Sequence, residues 1–272
     1  MTLRTLLFTA ATALACSCSI KEIRTDCPCR LTVDLSDASE ENGNIIVSVR
    51  GNSELLMCEE VKASDRIKHY DVPKSRIMIS CLQGIRDCKS DGRNVYIPLG
   101  KDIDRIHTGI DSTDCRHESA YSFARFKKNW ATLEIECQAA DSEAYPYDIS
   151  VEGNVNGFDI FTLAPSEGPF RCSAYPADRQ ADRQADNMGK ATFQLNLPRQ
   201  FREGKGLTLK LTKKTDHIPE KEYDLSGILT GKRFDWSTAN LDDISIALDY
   251  SGNIISVGII DWQTGMESEI VI

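Results

Sequence analysis

The sequence predicts an all-β chain arranged as two tandem β-sandwich domains behind a cleavable N-terminal segment. Three observations carry this. Many short runs rich in Val, Ile and Thr alternate apolar and polar residues at the strand period, with Gly, Asn, Asp and Pro between them. No long stretch keeps the 3.6-residue period of an amphipathic helix. The strands are also too many for one small sandwich, in a chain of 272 residues.

The elements follow in order. Residues 1–17 read as a secretory signal: Arg4 precedes an apolar run from Leu6 to Ala15, and small residues follow. The run is too short to span a bilayer, which takes about 20 residues. Small residues just before a cysteine give a lipoprotein peptidase access to the backbone, and two cysteines qualify. Cys16 follows Ala13-Leu14-Ala15, and Cys18 follows Ala15-Cys16-Ser17. Acyl chains on either one would hold the exported chain at a membrane, each buried methylene contributing about 0.8 kcal/mol.

In the first domain, residues 18–128, the expected strands are 30–35, 44–50, 76–81 and 94–99. The boundary is placed at Phe126-Lys127-Lys128-Asn129. In the second, residues 129–272, they are 131–137, 147–151, 191–197, 207–211, 244–248, 254–257 and 268–272. One short helix is expected over 222–229. Asn156-Gly157 reads as a hairpin turn. Ala177–Asp186 is a tandem ADRQ repeat, read as enlargement of a solvated loop, which costs little entropy.

Net charge is −9 with acids and bases mixed along the chain, which argues against nucleic acid as a partner. There are ten cysteines, and export permits disulfides. With Cys18 acylated, Cys16 leaves with the signal and eight remain, so all can pair: Cys27, Cys29, Cys58, Cys81, Cys88, Cys115, Cys137 and Cys172. With Cys16 acylated, one is left over. Connectivity does not follow from sequence.

Motifs for chemistry are sparse. His69, His107, His117 and His217 are scattered, and there is no H-E-x-x-H, nucleophile elbow or P-loop. Cys27-Pro-Cys29 and Cys115-Arg-His117 match zinc-ligand spacing loosely, and oxidised pairs are the simpler reading. Asp242, Asp243 and Asp249 read as polar punctuation at strand ends. Trp130, Trp236 and Trp262 read as packing residues, with a carbohydrate platform as the alternative. No catalytic residue, metal or cofactor is expected, and the chain is not expected to be an enzyme.

Several strings look familiar as a set: Asp26-Cys-Pro-Cys-Arg-Leu-Thr-Val33, Gly153-Asn-Val-Asn-Gly-Phe-Asp159, Gly168-Pro-Phe170, Leu197-Pro-Arg-Gln200, Asp235-Trp236, Asp249-Tyr-Ser251 and Asp261-Trp262. In this order, after the cysteine of a lipoprotein signal, the chain resembles the fimbrillin-associated anchor lipoproteins (FimB/Mfa-type) of Bacteroidia pili. The resemblance favours Cys18 over Cys16, from its spacing to Cys27. It implies transthyretin-like sandwiches, and an outer-membrane, surface-exposed position at the base of a fimbria. The implied partners are fimbrial stalk subunits and the membrane. Such subunits join by strand addition. The tail Glu267, Ser268, Glu269, Ile270, Val271 and Ile272 is then either a donated strand or a strand of its own sheet. The rival expectation is a surface glycan-binding lipoprotein.

Overall fold

The structure, a computed structural model, describes residues 27–138, 145–177, 190–202, 206–215 and 217–271. The signal segment with Cys16 and Cys18, the ADRQ repeat beyond Ala177, and Ile272 lie outside the described residues.

The first half supplies β1 (Cys29–Asp34), β2 (Ile45–Arg50), β3 (Leu55–Val61), β4 (Ile67–Val72), β5 (Arg76–Gln83), β6 (Lys89–Ser90), β7 (Asn94–Tyr96), β8 (His107–Asp114), β9 (Ser119–Phe123) and β10 (Lys127–Lys128). The second half supplies β11 (Trp130–Gln138), β12 (Tyr147–Asp159), β13 (Pro165–Ser173), β14 (Tyr175–Pro176), β15 (Lys190–Pro198), β16 (Thr208–Lys213) and β17 (Pro219–Asp224). The helix α1 (Leu225–Gly231) follows, then β18 (Asp243–Leu248), β19 (Ile254–Ile260) and β20 (Glu267–Val271).

Period-two patterning does what it should. Cys29, Leu31 and Val33 of β1 are fully buried while Arg30 faces out. Sheets β4-β1-β9 and β10-β8-β5-β2-β3 share one core, with Leu31, Val47, Val49, Ile77 and Ile79 in it. Sheets β17-β16-β12-β7-β6 and β14-β15-β11-β18-β19-β20 share another, with Leu133, Ile135, Val151, Phe158, Leu209 and Ile246. The two cores repeat a pairing. The leading strand of each half, β1 or β11, has an antiparallel neighbour on one side and a parallel one on the other, β9 or β18.

The halves are interlocked rather than strung in series. After β5 the chain leaves its own sheet, and β7 pairs with β12 of the second core. Cys88, Val95, Ile97, Ile103 and Ile106 belong to that second core. A division at 128/129 therefore puts in the first unit a segment whose side chains pack in the second. Asp104 closes this excursion. One of its carboxylate oxygens accepts the backbone N–H groups of Arg86, Asp87 and Cys88 at 2.7, 3.0 and 2.8 Å. Losing three hydrogen bonds to a charged acceptor is expected to cost about 2–3 kcal/mol, so Asp104→Ala should lower the denaturant midpoint with an unchanged slope.

Two local expectations are corrected. Asn156-Gly157 is no turn; it lies inside β12. A Cβ on Gly157 would stand 2.1 Å from the Val95 carbonyl oxygen, so the glycine is there to let β7 approach. The turn comes later, where the Asp159 carboxylate accepts the N–H groups of Phe161 and Thr162. The helix begins at Leu225 and not Glu222, because Asp224 caps it by accepting the Gly227 N–H at 3.0 Å.

Candidate interaction edges and the junction between the cores

Four of the strings that carry the resemblance meet as two pairs. Gly153-Asn-Val-Asn-Gly-Phe-Asp159 in β12 lies against Gly168-Pro-Phe170 in β13, with Gly153 opposite Phe170. The Asn156 side chain occupies the space above Gly168, where a Cβ would come within 2.3 Å of it. Leu197-Pro-Arg-Gln200 meets Asp235-Trp236 through Arg199. Its guanidinium donates to the carbonyl oxygens of Trp236 and Thr238, and to Asn129 Oδ1 at 2.9 Å. Burial pulls the Arg199 pKa down to about 10.

Asn129 marks the junction. Its N–H donates to the Ile106 carbonyl at 3.0 Å. Beside it Lys128 is buried, its Nζ 2.6 Å from Asp243 Oδ1 and 2.9 Å from the Leu241 carbonyl oxygen. The same Asp243 oxygen accepts the Thr132 N–H at 2.6 Å. Lys128 also stands 5.1 Å from the Trp130 ring, which meets His107 edge-on at 4.9 Å. Burial lowers the Lys128 pKa against the opposing pull of Asp243. Burial and the Lys128 charge lower that of His107. Asp243 is thus a partner for a buried cation and not solvated punctuation, whereas Asp249 is, holding the turn to Asn253. Buried Ser80 donates to the Ile160 carbonyl at 2.7 Å and ties the cores together a second time.

Trp130 and Trp236 are core residues, 7% and 5% exposed, while Trp262 at 42% lies in the β19–β20 turn. Among the described residues no group of three or more His, Cys, Asp or Glu side chains is placed to hold a metal ion. A surface cleft of about 450 Å³ lies over β8, lined by Asp111, Phe123, Arg125 and Lys127. Its acid, Asp111, is engaged by the hydroxyl groups of Ser122 and Thr113.

The C-terminal run, Glu267–Val271, is β20. It pairs antiparallel with β19, from Ser256 opposite Val271 to Ile260 opposite Glu267, and forms the outer edge of the six-stranded sheet. In this chain on its own, the tail thus pairs within its own sheet. A short turn joins the pair, held by the Asp261 carboxylate accepting from the N–H groups of Gln263 and Thr264. Beneath β20 lies Ile254-Ile-Ser-Val-Gly-Ile-Ile260, whose centre, Ser256 and Val257, is buried. Such an apolar strand left open at a sheet edge is a template for another chain.

No protein-family model and no curated protein matches this sequence. Solved structures do match in fold. The fimbrial anchor protein Mfa2 from Porphyromonas gingivalis superposes with a TM-score of 0.61 at 11% identity, over 89% of this chain and 99% of that one. A candidate adhesin from Bacteroides ovatus gives 0.60 at 10% identity, over 90% and 96% of the two chains. One from Bacteroides thetaiotaomicron gives 0.59 at 13%, over 90% and 98%. The chain therefore has, nearly end to end, the all-β fold of a fimbrial anchor protein and of Bacteroides proteins assigned as adhesins.

Proposed function

We propose that this chain is an outer-membrane lipoprotein that serves as the anchor or an accessory subunit of a fimbria. It is held in the membrane through Cys18 and joined to fimbrial stalk subunits by β-strand addition. Its role is structural and not catalytic. The observation that carries the reading is the likeness to Mfa2 over 99% of that anchor protein's length, in a chain that also opens with a lipoprotein-type signal. The sheet edge at β20 supplies the strand-addition step: main-chain hydrogen bonds give affinity, and pockets for alternate side chains give specificity. With Trp130 and Trp236 in the core, two of the three tryptophans are withdrawn from any glycan platform. No helix among the described residues is long and apolar enough to cross a membrane, so on this reading the acyl chains do the anchoring.

Membrane fractionation with subunit co-purification tests it. From fimbriated cells, detergent extracts of the wild-type chain should carry fimbrial stalk subunits with them. Cys18→Ala should move the chain into the soluble fraction, with membrane retention falling more than ~100-fold as the acyl chains are lost. Cys16→Ala should leave retention unchanged. A wild-type extract free of stalk subunits, from cells that bear fimbriae, would refute the anchor role.

A further inference from the structure

Two buried cysteines meet where the first strand enters the fold. Cys29 opens β1 and Cys115 directly follows β8, and both are fully buried in the same core. β1 and β8 belong to the two facing sheets of that core, so the two side chains close its end from opposite sides. Backbone pairing fixes their approach. The Arg30 N–H donates to the Glu118 carbonyl at 2.9 Å, the Cys115 N–H donates to the Ser75 carbonyl at 2.9 Å, and β1 runs parallel to β9 from Ser119 on. The thiol that acts on Cys115 is that of Cys29. Other thiols face other groups: Cys137 faces Tyr145, Cys88 faces Asp104 and Cys58 faces Ser48.

We propose that Cys29 and Cys115 form a disulfide in the exported protein, stapling β1 to the turn between β8 and β9. The oxidant is a disulfide-bearing oxidoreductase of the export compartment. One cysteine thiolate attacks its S–S bond, forming a mixed disulfide and releasing one oxidant sulfur as a thiol. The second cysteine thiolate displaces the other oxidant sulfur, and the Cys29–Cys115 bond forms. Two electrons and two protons leave with the oxidant as a dithiol. Timing follows from burial. In the folded chain the Cys115 pKa is pushed up to about 12, first by burial and then by Cys29, so its thiolate is scarce. Closure therefore belongs to the folding chain, before β1 docks, and the finished bond lies out of reach of solvent reductants.

The bond has a mechanical consequence that rests on the anchor reading, although the bond itself does not. Cys29 lies eleven residues beyond Cys18. Tension entering from an acylated Cys18 reaches β1 first. With the staple closed, that tension passes covalently to Cys115, and β1 cannot peel from β4 and β9.

The test is a disulfide map of the full-length exported chain. The protein is denatured and alkylated with iodoacetamide without reductant, then digested and analysed by mass spectrometry. The expected product is one linked species joining the Cys29 and Cys115 peptides, two hydrogens lighter than the separate thiols and retained in Cys27→Ser. Alkylation of both cysteines, or either one linked to another partner, would overturn the proposal. The double variant Cys29→Ser, Cys115→Ser should unfold about 10 °C below the oxidised wild type, the shift expected for opening so long a loop. If stalk subunits fail to co-purify but the linked species is found, the anchor reading falls and the disulfide stands.

Discussion

Removing residues 267–272 is expected to abolish capture of fimbrial stalk subunits while leaving the two cores folded. The expectation follows from where β20 sits. It is the last strand of its sheet and pairs with β19 through five register positions, Ser256–Val271 to Ile260–Glu267. One short turn joins it to the body. An outer hairpin strand, paired on one side only, is the piece of a sheet that opens at least cost, since local opening draws on few contacts. Donated to a neighbouring subunit, the same backbone groups that bond β19 bond the neighbour instead. The measurement is a pull-down of purified stalk subunits by the truncated and intact chains, with thermal unfolding as the control for folding. Loss of capture, with unfolding displaced by no more than a few degrees, supports donation. A truncated chain that captures subunits as well as the intact one sinks the strand-donor idea. Increased capture sinks it too, and instead makes β19, uncovered by the deletion, an acceptor edge.

The sequence displayed those strands that bury one whole face. β1, β2, β5, β11, β15, β18 and β19 all carry Val, Ile or Leu at alternate positions, and each appears within a few residues of its expected span. Two of the strands it concealed are largely polar. β8 reads His-Thr-Gly-Ile-Asp-Ser-Thr-Asp and β17 reads Pro-Glu-Lys-Glu-Tyr-Asp, with no position of β17 buried. Neighbours hold such strands through backbone hydrogen bonds, and those leave no hydrophobic period to read. Gly157 misled for a related reason. The same missing side chain that permits a turn also permits a close backbone crossing, and only the position of Val95, far off in sequence, decides between them. The interlocking of the two halves was hidden likewise, because Val95 and Ile97 advertise burial without saying in which core. The junction was half legible. Arg199 stood out in a familiar string, but nothing local reveals that its partners are Asn129, Trp236 and Thr238.

Those partners make Arg199→Ala the substitution expected to destabilise the chain most, by about 3–5 kcal/mol. Arg199 is 6% exposed, and its Nε and Nη1 tie two other segments, Asn129 and the 236–238 loop, to the end of β15. Alanine leaves the Asn129 side-chain oxygen and two carbonyl oxygens inside the protein without their donor. Each such orphan costs about 1–3 kcal/mol. Arg199→Lys should recover only part of the loss, because an ammonium has the charge but not the planar fork that reaches Asn129 and the 236–238 loop together. The effect should be local before it is global. Asn129 sits between Lys128, paired to Asp243, and Trp130, which opens β11. Freeing its side chain loosens the run through which the first core passes its chain to the second. Hydrogen exchange should therefore show lost protection first at the N–H groups of Lys128, Asn129 and Thr132, bonded to Asn240, Ile106 and Asp243. Protection in β1 and β4, whose buried residues lie only in the first core, should fall only with global stability. If protection instead falls evenly across both cores, the junction is not a separable unit. Arg199 then acts as an ordinary core residue of the second sandwich.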